Sequence, residues 1–263
     1  MDLELKDNHV VITGGSSGIG FACAAEYLKE GARVSIISRS TTKLNECYAL
    51  LTKLIPNSNN QLFIHSCDLG DAEAAEQVIK DIEAEHGPID ILVNSASTPK
   101  RHQTLDIITD DWHVGMDSKY FLSMHTITPV IRLMRNRKKG SIVNIAGMGG
   151  KIANQNSIPR GAASSAIMLA SAGLANEYAA YGIRVNVVNP TYVLNIPVEQ
   201  QEYLTLENSI NLYNELYRGQ MPIGRVALPK EVADAVLFLS SPRASYISGV
   251  ALSIDGATNP VII

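Results

Sequence analysis

The sequence predicts a doubly wound α/β fold, in which a mainly parallel seven-stranded sheet carries helices on both faces. Three observations predict it. Seven short runs rich in Val, Ile and Leu alternate with amphipathic stretches; Gly31, Gly87-Pro88 and Gly182 stand where those stretches should stop; and no Ser- or Pro-rich linker, repeat or low-complexity tract interrupts the pattern. Strands buried on both faces read as continuous apolar runs. Parallel neighbours need right-handed crossovers, which place helices on both sides and leave a ligand site at the carboxyl ends of the strands.

Taken in order, the first run, His9 to Thr13, feeds a glycine-rich turn and a helix near 19–30. Ala32 to Ser38 leads to a helix near 41–54 and the polar turn Pro56 to Asn60. Gln61 to Cys67 leads to a helix near 71–86, and Ile89 to Asn94 to a long helical stretch near 106–137, where Asp110-Asp111 looks like a helix start. Ser141 to Ala146 precedes a helix near 160–181, and Ile183 to Val188 precedes the longest break in periodicity, Thr191 to Pro222. A helix near 229–240 and the run Val250 to Ile254 complete the set. One domain over 1–263 is expected, with 191–222 as a substrate-binding lid inserted at the ligand end.

At 263 residues the chain can bury a full core. Hydrophobic residues at 46% and charged residues at 18% exclude a disordered tail or a fibrous rod. Lys and Arg number 22 against 26 Asp and Glu, so the net charge of −4 gives no bulk attraction to nucleic acid. Cys23, Cys47 and Cys67 lack disulfide or zinc spacing, and no metal-ligand pattern is evident. The start, Met1 to Lys6, has no basic segment leading into an apolar run, and no 18-residue apolar stretch occurs. A reducing, cytoplasmic setting without membrane contact is the expectation.

After the first run comes Thr13-Gly14-Gly15-Ser16-Ser17-Gly18-Ile19-Gly20, opening directly into a helix. Glycines let a backbone approach a pyrophosphate, and a helix N-terminus adds N–H donors and a positive dipole. Further stretches follow: Cys67-Asp68-Leu69, Leu92-Val93-Asn94-Ser95-Ala96-Ser97, Ile183-Arg184-Val185-Asn186 with Asn189-Pro190-Thr191, then Pro222-Ile223-Gly224-Arg225-Val226, Glu231-Val232-Ala233, Ile247-Ser248-Gly249 and Asp255-Gly256. In this order, over nearly the whole chain, the sequence resembles the short-chain dehydrogenase/reductase family. That resemblance implies a Rossmann-like fold with a nicotinamide dinucleotide held by Gly14, Ser16, Ser17, Gly18, Ile19, Gly20, Asp68, Leu69, Asn94, Ala96, Pro190 and Val193. At the tip of the second strand Ser38 precedes Arg39 where an acidic residue would accept from a ribose hydroxyl. A guanidinium there can clamp a 2′-phosphate, so NADP(H) is favoured.

The family's catalytic set is a Tyr with a Lys four residues later, an upstream Ser and an Asn on the preceding long helix. No Tyr of this chain has Lys at the fourth following position, and none lies between Tyr120 and Tyr178. Counting back from Asn186, the family's Tyr falls on Arg160, its Lys on Ser164 and its Ser on Gly147, while Lys119 stands seven residues past Trp112 where the Asn belongs. Arg160 cannot give up its proton but can clamp a carboxylate or steady an oxyanion. Lys119 can serve as proton donor if the cleft buries it. Tyr192, after Asn189-Pro190-Thr191, is the third candidate catalytic residue; Lys151, His102 and His113 also fall near the cleft. For each, a solvated charge, a cap or a packed ring is the plain alternative.

Three functions fit these residues. The first is an NADP(H)-dependent reductase or dehydrogenase acting on a small carbonyl, enone or iminium substrate, with Lys119 and Arg160 suggesting an anionic one. The second is a non-redox cyclase, isomerase or lyase on the same scaffold. The third is a retired nucleotide-binding partner protein. The resemblance also implies a homo-oligomer, tetramer or dimer, built through the helices near 106–137 and 160–181.

Overall fold

The structure is a computed structural model and describes residues 2–97, 107–153, 157–195 and 205–259. Its strands are β1 (His9–Thr13), β2 (Arg33–Ser38), β3 (Leu62–Ser66), β4 (Ile91–Asn94), β5 (Gly140–Ile145), β6 (Ile183–Pro190) and β7 (Ala251–Ile254). They form a seven-stranded sheet in the order β3-β2-β1-β4-β5-β6-β7. Every pairing is parallel, so the sheet is wholly rather than mainly parallel. The order reverses between β1 and β4, the kind of point at whose carboxyl side open α/β sheets hold ligands.

The helices are α1 (Gly18–Lys29), α2 (Thr41–Leu54), α3 (Ala72–His86), α4 (Thr109–Met116), α5 (Leu122–Arg137), α6 (Ile158–Tyr178), α7 (Leu206–Leu212) and α8 (Pro229–Ser240). Alternate residues of each central strand serve opposite cores. Val10 and Ile12 pack with Phe21 and Leu28 of α1, Leu44 of α2 and Val232 and Val236 of α8. Val11, Leu92 and Ile142 pack with Ile79 and Ile82 of α3 and Ile127 and Val130 of α5. This two-sided burial makes the strand sequences apolar throughout.

Several expectations are corrected. The stretch near 106–137 begins at Thr109 and is divided by a π-helical turn, Asp117–Phe121. Gly115, just before that turn, is pressed on α6: a Cβ there would stand 2.8 Å from the Pro159 Cβ. α6 starts at Ile158, two residues early, because Pro159 suits a first helical turn, where its missing N–H is not needed. β6 runs on to Pro190, paired with Ile254 of β7. Within 191–222, the described part holds α7 and a second π turn, Tyr213–Tyr217; Tyr203 lies outside the described residues.

Candidate active site

β1 delivers the first half of the site. The buried Thr13 hydroxyl accepts from the amides of Ser95 (3.1 Å) and Ala96 (3.2 Å), pinning the segment after β4 against the turn after β1. Gly14 follows with a φ of 66°, and a Cβ there would stand 2.7 Å from the Ala96 Cα. Glycine alone meets both demands. A Cβ on Gly20 would come within 2.4 Å of the Gly14 oxygen, so the first turn of α1 closes tightly on the loop. Around Gly18 the space is open, a Cβ meeting only Asn195 Oδ1 at 3.6 Å. Ser17 makes no side-chain cap and no acidic residue stands in the first turn of α1, which leaves its N–H groups suited to an anion. The cradle therefore fits the pyrophosphate of a dinucleotide, and Ile19 packs on the adjoining core.

Ser16 donates to Ser38 Oγ at 3.0 Å, joining this loop to the tip of β2, where Arg39 is exposed. The Arg39 carbonyl accepts from Ser66 Oγ at 3.2 Å, which steadies the tip. Asp68 is exposed and holds the Gly70 amide at 3.0 Å; Leu69 is buried, its carbonyl taking the His125 ring at 2.8 Å. Asn94 departs from expectation in one respect, because its side chain is wholly engaged inside the protein. It accepts from Thr126 Oγ1 at 2.7 Å and donates to Asn144 Oδ1 at 2.9 Å, and Asn144 donates in turn to Ser171 at 2.9 Å. That chain ties β4, β5, α5 and α6 together beneath the site.

The second half centres on Lys119. The π turn carries its side chain inward, where it is 4% exposed and Nζ donates to the Ala146 carbonyl just past β5. Burial, with Arg160 adding repulsion, pulls its pKa from 10.5 down to about 7. Gly147 lies beside it. With a φ of 136°, that residue occupies a region glycine adopts readily, and a Cβ on it would lie 4.0 Å from Nζ and 3.8 Å from the Pro190 oxygen. Nζ thus lies just past the end of β5, near Gly147, the residue on which the resembled family's Ser falls.

Arg160 is half-buried on the first turn of α6 and is near enough to act on Lys119. Ser164 is buried, and its Cβ would lie 2.8 Å from a Cβ on Gly150, so the loop after β5 fills the place of a long side chain. Tyr192 is not brought to Lys119: its ring packs at 4.3 Å on Tyr217, in a cluster with Leu194, Met221 and Val226. That is the packed-ring alternative. Val193 bridges to Ala227 at the base of the same cluster. Lys151 is occupied with the Ala251 carbonyl (2.7 Å) and Ser253 (3.0 Å), a tie to β7. His113 is exposed on α4, and His102 lies outside the described residues. Cys23 and Cys47 are buried and Cys67 is half-buried, all as free thiols. Among the described residues no group of three or more His, Cys, Asp or Glu could hold a metal.

Two residues that shape the site were not singled out as such by sequence: Gly147, read only as a lost hydroxyl, and Asn189, which accepts from the Gly147 amide at 3.1 Å. The legible signal was the pairing of a glycine where a hydroxyl belongs with a lysine where an amide belongs.

A family model described as enoyl-(acyl carrier protein) reductase matches residues 14–259. The chain is 30% identical over 258 residues to 3-oxoacyl-[acyl-carrier-protein] reductase of Chlamydia muridarum, covering 97% of this chain and 99% of that one. Among solved structures, L-sorbose reductase of Gluconobacter frateurii complexed with NADPH and L-sorbose superposes with a TM-score of 0.88 at 26% identity, covering all of both chains. An NADPH-bound short chain oxidoreductase of Pseudomonas aeruginosa PAO1, described as containing an atypical catalytic center, has a TM-score of 0.87 at 26% identity, over 98% of this chain and 100% of that one.

Proposed function

The chain belongs to the short-chain dehydrogenase/reductase family, and from that premise we propose that it is an NADP(H)-dependent oxidoreductase acting on a small carbonyl, enone or iminium compound, with Lys119 as its acid–base group. The observation that carries this reading is the Lys119 ammonium, buried at the carboxyl end of the sheet and bonded to the Ala146 carbonyl just past β5. NADPH-bound neighbours, one with an atypical catalytic center, support a working site on unusual residues.

The cradle of residues 14–20 would hold the nicotinamide cofactor and Arg39 its 2′-phosphate, and the cofactor would supply or accept the hydride. Lys119 handles the proton at Nζ: charged, it gives one to the oxygen of a carbonyl being reduced; neutral, it takes one from an alcohol. A pKa of about 7 lets it do either near neutrality. Arg160 remains charged, so its role is to hold an anionic group or to steady negative charge as it develops. Two cations at one site favour an anionic substrate. Tyr192, with Tyr213 and Tyr217, forms an apolar wall of the lid over 191–222. The exposed Trp112, Phe121 and Leu169 on the α4 to α6 face suit a homo-oligomer contact, which light scattering tests.

The decisive assay follows NADPH absorbance at 340 nm over carbonyl, enone and iminium panels. Lys119→Met should lower kcat/KM at least tenfold, about 1.4 kcal/mol, and wild-type reduction should decline above about pH 7 as the amine loses its proton. Wild-type rates in Lys119→Met would refute the role. The vacated Gly147 and Ser164 leave two other readings: a non-redox cyclase, isomerase or lyase, which product formed without cofactor turnover would select, and a retired nucleotide-binding partner, which binding without any turnover would select.

A further inference from the structure

Asn189 stands near the end of β6 and is completely buried. Its Oδ1 accepts the Gly147 N–H at 3.1 Å. That N–H belongs to the same planar peptide as the Ala146 carbonyl, which is the acceptor for Lys119 Nζ. An N–H can be met only by the oxygen end of the Asn189 amide, so the orientation of that side chain follows from its partner. We propose that Asn189 is a positioning residue: it holds the Ala146–Gly147 peptide from one edge so that the carbonyl on the opposite edge aims at the Lys119 ammonium and sustains its charge. The inference rests on the reading of Lys119 as the acid–base group.

The geometry supports it in three ways. The Ala146 amide is tied to the Val188 carbonyl at 3.0 Å, which secures the strand side but not the plane of the next peptide. With Gly147 at a φ of 136°, that plane has the conformational freedom of glycine, and the bond to Asn189 is what removes it. Hydrogen bonds in series through a peptide polarise one another, so an acceptor on the N–H enriches the carbonyl oxygen that faces the ammonium. Finally, Asn189 Nδ2 has no hydrogen-bond partner although the residue is fully buried. An apolar side chain would avoid that desolvation cost, so packing alone does not account for an amide here. Arg160 on α6 is the charged group acting on Lys119 among the described residues, while β5 brings the Ala146 carbonyl to it.

The acidity of Lys119 is readable in the whole protein without substrate, from stability measured against pH in the wild type, Asn189→Leu, Asn189→Asp, and the same two changes made in Lys119→Met. Asn189→Leu should move the lower edge of the wild-type stability rise down by about half a pH unit or more, because the ammonium loses its aimed acceptor. Asn189→Asp keeps the acceptor and adds a negative charge, so it should move that edge up. Neither shift should appear in the Lys119→Met background, and the alkaline limb of kcat/KM should move in the same directions. If Asn189→Leu does not fold, Asn189→Asp carries the test. An unmoved edge, or equal shifts with and without Lys119, overturns the proposal. Moved edges together with wild-type turnover in Lys119→Met would uphold the positioning and overturn the function assigned to Lys119.

Discussion

Replacing Lys119 by methionine removes a charge that the folded protein disfavours, and stability measured against pH exposes it. In the folded chain its pKa lies at about 7 rather than 10.5, because burial penalises the ammonium and Arg160 repels it. The unfolded chain keeps the ordinary value. Between those two pH values the unfolded state therefore binds more protons than the folded state, so wild-type stability rises with pH across the window. Below about pH 7 both states are charged and the whole penalty is present; above about pH 10.5 it has gone. At roughly 1.4 kcal/mol per tenfold change in acidity, the whole penalty is about 5 kcal/mol. Lys119→Met, similar in volume and uncharged, should gain up to about that amount at pH 6 and little at pH 10.5. Urea denaturation followed by the single tryptophan, Trp112, reads both proteins across the range. Parallel stability curves for the two proteins would refute the burial of a charge-bearing amine at this position.

Gly147→Ser, which restores the family's hydroxyl, should reduce activity rather than raise it, with a stability loss of about 1–3 kcal/mol, because a φ of 136° strains any L side chain beside Lys119; a gain in kcat would contradict this. Arg39→Ala should weaken NADPH at least tenfold while leaving NADH within a factor of about two, measured by fluorescence titration; equal losses would remove the 2′-phosphate contact. Around the end of α3, His86 stacks on Phe63 at 3.8 Å, with His65 at 5.4 Å and His9 at 6.3 Å. Burial is the chief cause lowering His9 and His65 below 6.5, with Arg33 and His86 also repelling the charged forms and Asp90, Glu85 and Asp81 opposing. The unfolded chain then takes protons first as pH falls below 6.5, so stability should decline there, and His65→Gln should flatten that decline in thermal melts. An acid limb unchanged in His65→Gln would remove this cluster as its source.

The order of strands and helices was legible in the sequence because apolar periodicity and glycine stops are local properties, and a parallel sheet follows from them through chain handedness. The cradle was legible for a similar reason: Gly14, Gly18 and Gly20 are contiguous with the strand and helix they join. Arg39 sits at a strand tip that counting finds. The bounds near Lys119 were harder to read, since the π turn follows a place where Gly115 meets Pro159 across two helices, a contact between residues far apart in the chain. Asn94 and Tyr192 commit their side chains to partners on other elements, Thr126 and Asn144 for one and Tyr217 for the other, which no local run of residues reveals. By itself the sequence determined the fold, the dinucleotide cradle and the absence of a Tyr-x-x-x-Lys set. Only the tertiary structure decided that the lysine on the long helix turns inward, that the Ala146 carbonyl past β5 receives it, and that burial lowers its pKa toward neutrality. Those outcomes depend on desolvation and on distances between separate elements, and neither is encoded in any local run of residues.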